Sequence, residues 1–423
     1  MLQNENKALK YHRLPRPGKT EVVPTKPLCT PEELALAHTP GATEASRGIS
    51  LDRWNAYKYT NKGNLIAIVS NGSALPKKEA LAAKPLGEGT SMLYKIFADI
   101  DAFDIEIAQS DTRELVRTIQ AMSPTFGGIS LEAIAPQQSL LLEERLGRLL
   151  DIPIMSGTIQ GTNVCIAAAL KNAAEITGRQ LGSLKIVIKE CDTLASTSLR
   201  LLANVGAGQS NIKTVTDADI KQWLDGADAL IDLSHSHTID AQQLQTMAPE
   251  AIIIALDASE GLYNKILRAR PDAIVATAGA DAPNQINSLL VAPHIFRAAL
   301  DTLATSINSA MITAAVEAVA TLAHRPTPAA LQKMYGSRLA FGRDYILPRA
   351  GDRRLATELS TASAEAAIRS GIARRPILDW DDYRHILLDR LESETRFCRE
   401  IYSHHTSKKL RRRYTRAFPQ LKM

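Results

Sequence analysis

The second half of the chain alternates short apolar runs with segments of helical periodicity. A predicted helix at 161–177 is followed by five strand-like runs with helix-like segments between them: 184–188, NIKTVT, ALIDLS, AIIIALD and DAIVATAG. Alternation at this spacing is typical of crossover connections, which join parallel strands and put helices on both faces of the sheet. The sequence therefore predicts an α/β fold with a doubly wound, Rossmann-like parallel sheet, followed by C-terminal helices at 306–323 and 355–373.

The first strand of this predicted sheet ends in a turn that lacks glycine. Glycines at that turn let a backbone approach a dinucleotide pyrophosphate at the helix N-terminus. The stretch KIVIKECDTLAS instead has Glu190, Cys191, Asp192 and Thr193. A carboxylate about 4 Å from a phosphate is repelled by about 4 kcal/mol at an effective dielectric of ~20. Asp192 or Thr193 could instead cap the helix, a role that needs no ligand.

The first half has its own strand and helix pattern. NLIAIVSNGSAL, FDIEIAQSD and TFGGISLEAI read as strands, and RELVRTIQAMS and SLLLEERLGRLL as amphipathic helices. With 423 residues, the chain is long enough for about two domains. We expect an N-terminal α/β domain at 1–159, the Rossmann-like domain at 160–390 and a basic tail at 391–423.

Composition excludes several classes of protein. The chain is 45% hydrophobic and 22% charged, and it has no run approaching the ~18 apolar residues that span a membrane. Its first ten residues are polar, unlike a signal peptide. Four scattered cysteines have no metal-type spacing. These features predict a reduced, cytoplasmic protein without a membrane span.

Positive charge is concentrated near the C-terminus. SKKLRRRYTRAFPQLKM carries seven Lys or Arg and no acid, more than the net charge of +5 of the whole chain. This tail is either a solvated end or a patch for an anionic surface or acidic partner. Neither an aromatic-rich nor a zinc motif accompanies it, so specific nucleic-acid recognition is not expected.

Several stretches, in this order, resemble the short bacterial malic enzymes over about residues 8–390. The resemblance is carried by these stretches: YHRLPRPGKTEVVPTKPL, YTNKGNLIAIVSNGSA, FADIDAFDIEI, PTFGGISLEAI, PNQINSLLVAPHIFRAALDTLATSIN and FGRDYILPRAGDRRL. It implies a malic-enzyme-type N-terminal domain before the Rossmann-like one. It also implies oxidation and decarboxylation of malate with NAD or NADP and Mg²⁺ or Mn²⁺. Residues 11–30 are rich in proline and basic residues and are predicted to be extended. They match the family's N-terminal arm, which implies a homodimer.

The positions that carry proton transfer in the family are changed here. The resemblance places a general-acid Tyr at His38, in AHTPG, and a general-base Lys at Thr90, in GEGTSM. An imidazole can move protons near neutral pH, whereas Thr needs a neighbouring group to take its proton. His38 could equally be a surface residue at a helix end. Lys77, Lys78 or Lys84 could replace the base only if the backbone shifted.

The family's metal ligands are largely replaced as well. Of three carboxylates that the resemblance implies, Glu132 remains, while Ala133 and Thr158 stand at the other two positions. A hard cation needs carboxylate charge to offset its dehydration, so a lone Glu predicts weak binding of Mg²⁺ or Mn²⁺.

The cofactor positions follow the same trend. Thr216 stands where the family usually has an acid for the ribose, Ala258 replaces an Asn, and Asn287 is kept. Asp192 and Thr193 occupy the phosphate turn. The pattern predicts no bound cofactor, with NAD or NADP and Mg²⁺ or Mn²⁺ expected only if the family reaction survives.

Three functions remain open from the sequence. The first is a pseudoenzyme that keeps the fold and has a binding, regulatory or scaffold role, with a small anionic ligand or a protein partner. The second is an atypical malic enzyme that converts malate and NAD(P) to pyruvate, CO₂ and NAD(P)H. The third is a different small-molecule enzyme in the same cleft, using His38, Glu132 and Lys84.

Overall fold

Two parallel sheets organise the chain. The computed structural model describes residues 6–14, 17–189, 194–234 and 240–392. The first sheet has the order β2-β1-β3-β4 and the second the order β6-β5-β7-β8-β9, with every strand pair parallel. The strands are β1 Leu65–Ser70, β2 Asp101–Glu106, β3 Gly128–Leu131, β4 Ile154–Met155, β5 Ile186–Lys189, β6 Ile212–Val215, β7 Ala229–Asp232, β8 Ile252–Ala255 and β9 Ile274–Thr277. The predicted α/β class is confirmed.

Helices connect the strands and cover the sheets. A further helix spans 380–392. The others are α1 Lys7–Arg13, α2 Pro31–Ala37, α3 Gly41–Leu51, α4 Ala56–Tyr59, α5 Ala80–Ala98, α6 Thr112–Met122, α7 Pro136–Leu149, α8 Gly157–Ile176, α9 Leu194–Asn204, α10 Ile220–Leu224, α11 Ala241–Gln245, α12 Leu262–Ala269, α13 Ala292–Asp301, α14 Ser309–His324, α15 Ala329–Tyr335 and α16 Arg354–Arg369. In the described part of the chain, no helix has the length and apolar character needed to cross a membrane.

Alternate side chains of the second sheet enter different cores, as expected of a doubly wound sheet. Ile186 and Ile188 of β5 pack in a large core with α8, α14 and α16, whereas Val187 packs with α10, α11 and α12 on the opposite face. Period-two alternation puts successive residues of a strand on opposite faces. Both faces are therefore covered by helices.

The large core also reaches the first sheet. Ile66 and Ile68 of β1 belong to it, while the opposite face of that sheet packs in a separate core with α6 and α7. Helix α8 supplies buried residues along most of its length. The expected domain boundary between residues 159 and 160 lies in the first turn of α8, and this division stays a prediction. The tail from residue 393 onward lies outside the described residues.

A buried ion-pair network attaches the helix at 380–392 to α13. The Asp301 carboxylate accepts hydrogen bonds from Arg297 (2.9 and 2.7 Å), from the Tyr383 hydroxyl (2.9 Å) and from Arg390 (3.0 Å). Burial raises the pKa of this carboxyl, but the charges of Arg297 and Arg390 outweigh burial and leave the pKa lowered. The network therefore holds Asp301 ionised inside the protein.

The N-terminal segment is more helical than an extended arm. Residues 11–13 of the predicted arm belong to α1, where the Asn6 side chain caps the helix by accepting from the Ala8 backbone N–H (2.9 Å). Farther along, Lys19 packs on α5, where its Nζ donates to the Pro85 carbonyl (2.6 Å). Side-chain capping thus changes the local structure at the start of the arm.

Candidate active site

A carboxyl group and three hydroxyls meet at the carboxyl edge of the first sheet. Glu132 directly follows β3, and Thr158 lies in the first turn of α8, directly after β4. Parallel strands end at one edge, so these side chains converge. Ser130 Oγ donates to Glu132 Oε1 (2.8 Å), and Thr158 Oγ1 donates to Glu132 Oε2.

Gly157 makes the position of Glu132 possible. A Cβ at residue 157 would lie well inside van der Waals contact of Glu132 Oε1 and 2.8 Å from Ser130 Oγ. Real Cβ atoms do not approach other atoms this closely, so a side chain at 157 would displace the carboxyl. The carboxyl of Glu132 fills the space that a side chain at residue 157 would need.

Tyr94 completes this group from α5. Its hydroxyl is fully buried and lies 3.2 Å from Ser130 Oγ. Burial raises the pKa of Tyr94 well above its ordinary value. Burial also raises the pKa of Glu132, although the hydroxyls of Thr158 and Ser130 partly offset it. Tyr94 therefore stays neutral, and burial makes the Glu132 carboxyl a weaker acid than usual.

The residues here do not fit a carboxylate cage for a divalent cation. Ala133 lies beside Glu132 with a left-handed backbone (φ 49°), and it brings no ligand atom. No group of three or more His, Cys, Asp or Glu side chains lies close enough to hold a metal ion among the residues that the structure describes. Both oxygens of Glu132 already accept hydroxyl protons.

Thr90 lies on α5, the helix that also carries Tyr94. It is half-buried and precedes Tyr94 by four residues, so the two share one face of the helix. Lys84, by contrast, binds Asp104 and lies 3.6 Å from Glu106 on β2. Burial lowers the pKa of Lys84, but these carboxylates outweigh it and raise the pKa. Lys84 is thus held as a cation in an ion pair.

His38 is not brought to Glu132 within the described chain. It ends α2 and is exposed, with Nδ1 3.0 Å from Thr39 Oγ1. Hydrogen bonds and ion pairs of the described residues do not join it to Glu132 or Thr90. Its role as an acid stays a prediction.

Asn287 lies on a loop that packs against α8. Its Oδ1 accepts from the Leu289 backbone N–H (3.0 Å), and its carbonyl accepts from the Cys165 thiol (3.3 Å). Gly161 allows this contact, because a Cβ there would be 2.7 Å from the Ser288 carbonyl oxygen. The side chain thus shapes its own loop, next to the helix that begins at the Glu132 site.

A buried lysine lies at the end of β5, before the turn that lacks glycine. Lys189 is 1% exposed, and its Nζ lies 2.9 Å from Asp217 Oδ1, 3.7 Å from Asp232 Oδ2 and 3.3 Å from Ser234 Oγ. Lys189 is not among the site residues predicted from the sequence, although a charged residue in an otherwise apolar strand is a usable signal.

Other cofactor positions are only partly described. Asp192 and Thr193 lie outside the described residues. Thr216, at the ribose position of the resemblance, donates from Oγ1 to Asp219 Oδ2 (3.3 Å). This contact ties Thr216 to its own loop.

Comparisons with known proteins identify relatives at both the sequence and the structure level. No family model matches the chain. An NADP-dependent malic enzyme of Halomonas elongata is 37% identical, over 87% of this chain and 94% of that protein. An NADP-dependent malic enzyme of Escherichia coli is 36% identical, over 95% of this chain and 57% of that protein. The chain thus spans little more than half the length of several curated relatives it matches.

Solved structures agree with the sequence relatives. A malic enzyme from Pyrococcus horikoshii superposes with a TM-score of 0.84 at 30% identity, over 94% of this chain and 98% of that one. An NAD-dependent malic enzyme from Thermotoga maritima gives a TM-score of 0.76 at 27% identity, over 85% and 99%. With a 37% identical relative covered almost from end to end, the chain belongs to the malic enzyme family.

Proposed function

We propose that this chain keeps the malic enzyme fold without the metal-dependent oxidative decarboxylation of malate. In this proposal it has a binding, regulatory or scaffold role, with a small anionic ligand or a protein partner. One observation carries the proposal: Glu132 accepts from Ser130 and Thr158, and its carboxyl fills the space beside Gly157.

A divalent cation would have to displace those hydrogen bonds. Each bond to a charged group contributes about 1.5–3 kcal/mol, so losing both lowers cation affinity by roughly 10²–10⁴-fold. The cation would also find Ala133 and Thr158 where the resemblance implies carboxylates, so the charge that offsets its dehydration is missing. Both effects support the loss of the family's metal chemistry.

The end of β5 supports the loss of dinucleotide binding. Asp217 and Asp232 lie close to Lys189, so the lysine's charge is already matched by carboxylates. A pyrophosphate placed there would meet the same carboxylates, which repel it. We therefore propose that NAD and NADP do not bind in the family's manner.

An atypical malic enzyme is the second candidate. The relatives are named NADP- or NAD-dependent malic enzymes, which makes NAD(P) plausible here, and Glu132 and Asn287 are retained. A different reaction in the cleft is the third, with Glu132 as its proton-exchanging group. The use of Lys84 in such a reaction is disfavoured, because its ammonium group is held in an ion pair with Asp104.

Ligand titration separates these candidates. Thermal unfolding is followed with malate, NAD, NADP and Mn²⁺, alone and combined, and NAD(P)H formation is recorded in parallel. A ligand at 100 times its dissociation constant adds about 2.7 kcal/mol of stability. We expect no shift with Mn²⁺ or NAD(P) and no NAD(P)H. A stabilisation by cofactor with Mn²⁺, followed by malate-dependent NAD(P)H, would refute the proposal.

A paired set of variants makes the metal test specific. Ala133→Asp with Thr158→Asp supplies two carboxylates beside Glu132, and we expect this double variant to gain stabilisation by Mn²⁺. Adding Glu132→Gln to it should reduce that gain. If the unmodified chain already binds Mn²⁺ and Glu132→Gln abolishes the binding, the lost-metal argument fails.

We also propose that the chain forms a homodimer through its N-terminal helices. Leu34 and Leu36 of α2 and Leu51 of α3 are 55%, 65% and 84% exposed, and such apolar surface favours contact with a partner. Sedimentation should show a dimer that Leu34→Lys with Leu36→Lys converts to monomer. Leu378→Lys, at a leucine outside these helices that is 92% exposed, is the control. A monomer at all concentrations would refute this.

A further inference from the structure

A cavity of about 240 Å³ lies beneath the loop that carries Asn287. Its walls come from α5, the loop after Asn287, α13, α15, the start of α16 and the helix at 380–392, and Glu132 is not part of the lining. Most of the lining is apolar, formed by Ile96, Phe97, Leu289, Leu290, Leu355 and Ala356. A cavity of 150 Å³ holds benzene, so this one has room for a bicyclic ring.

His294 of α13 brings a polar ring to this wall. It is 3% exposed and lines the cavity, and among the described residues its Nδ1 is fully buried without a hydrogen-bond partner, whereas Nε2 is not fully buried. Burial lowers the pKa of His294 to about 3, so the ring is neutral at physiological pH. A neutral imidazole offers one donor and one acceptor.

Charged groups at the cavity do not supply a partner for a buried anion. The Asp352 carboxylate is engaged by Arg354 through Nε (2.9 Å) and a terminal nitrogen (2.7 Å). Arg353 is exposed, so its charge is in water. A carboxylate held against the apolar wall would lose hydration that, among the lining cations, only the exposed Arg353 could offset, so a neutral ligand is favoured.

We propose that this cavity is a binding site for a small neutral aromatic compound, of up to two fused rings, whose single N–H or hydroxyl group hydrogen-bonds the His294 imidazole. The apolar wall accepts the rings, and the ligand's polar group hydrogen-bonds Nε2, the imidazole nitrogen that is not fully buried. Leu289 lies two residues after Asn287, so a bound ligand also supports that loop. The proposal does not depend on whether the chain oxidises malate.

Two matched probes test the proposal. Indole has an N–H group, while indene has nearly the same shape without it. Calorimetric titration of the full chain should detect indole and show a preference over indene of about five-fold, as expected from one net hydrogen bond. Indole-2-carboxylate should bind more weakly than indole. Absence of indole binding at about 1 mM, or equal affinity for indole and indene, overturns the proposal.

Variants connect the preference to the imidazole. His294→Phe should remove the preference for indole over indene, whereas His324→Phe should keep it, because His324 stacks on Phe341 elsewhere. Ala356→Leu, which fills the cavity and leaves His294 in place, should weaken both probes at least ten-fold. A preference that survives His294→Phe, or probe binding unaffected by Ala356→Leu, refutes the site.

Discussion

Replacing His294 by Phe should stabilise the protein. The imidazole is buried, and among the described residues its Nδ1 has no hydrogen-bond partner. A buried polar group in that state costs about 1–3 kcal/mol, and Phe has a similar shape without the polar atoms. The larger ring also fills a little of the adjacent cavity. We therefore expect the free energy of unfolding of His294→Phe to rise by about 1–3 kcal/mol at neutral pH.

The same substitution should remove a dependence of stability on pH. The pKa of His294 falls from its ordinary 6.5 to about 3 on folding. The unfolded ring therefore takes up a proton below pH 6.5 while the folded ring stays neutral, so stability is lost as pH falls from 6.5 towards 3. A pH of 5 lies about 1.5 units below the pKa of the unfolded ring, so the free energy of unfolding is lower there by about 2 kcal/mol.

Urea unfolding at about pH 7.5 and pH 5 measures both effects. Between these pH values, the free energy of unfolding of His294→Phe should fall by about 2 kcal/mol less than that of the unmodified chain. His324 is the control, because it stacks on Phe341 and its Nε2 lies 3.3 Å from Asn172 Oδ1. His324→Phe should destabilise and keep the pH effect of His294. An unchanged pH dependence in His294→Phe, or lower stability at pH 7.5, refutes the reasoning.

Three further substitutions test the backbone and the ion-pair network by chemical denaturation. Ala133→Gly should stabilise by about 1 kcal/mol, because Ala133 has φ 49° and glycine adopts that conformation freely; a loss of stability would contradict this. Gly157→Ala should destabilise by about 1–3 kcal/mol, since its Cβ would displace Glu132, and an unchanged midpoint would exclude the clash. Asp301→Ala should cost about 3–5 kcal/mol by leaving Arg297 unpaired, and a neutral effect would show that the network is not needed.

The sequence predicted the strands of the second sheet and their parallel arrangement, because apolar runs separated by helices permit few other topologies. It also drew attention to Glu132, Ala133 and Thr158 through resemblance. It did not reveal that Glu132 fills the space beside Gly157, since this depends on how α8 starts relative to β3. A contact between distant segments has no local periodicity to indicate it.

Tyr94 and Lys189 were missed for different reasons. Tyr94 looks like an ordinary core aromatic in α5, and its hydroxyl matters only because β3 brings Ser130 to it. Lys189 follows three apolar residues, and its partners come from the ends of β6 and β7. The arm was predicted as extended because of its prolines, whereas the Asn6 cap begins a helix just before them.

Helix α8 connects the Glu132 site to the second sheet. It is about 30 Å long, and it starts at the hydroxyl group of Thr158 that binds Glu132. Farther along, Asn163 bonds Thr197 and Ser198 of α9, which follows β5. Because α8 packs in the core that both sheets share, a shift of one end of the helix would also move the other end. A tilt of α8 would therefore strain hydrogen bonds near both sheets at once, so the helix holds the Glu132 carboxyl and the start of α9 in a fixed relation.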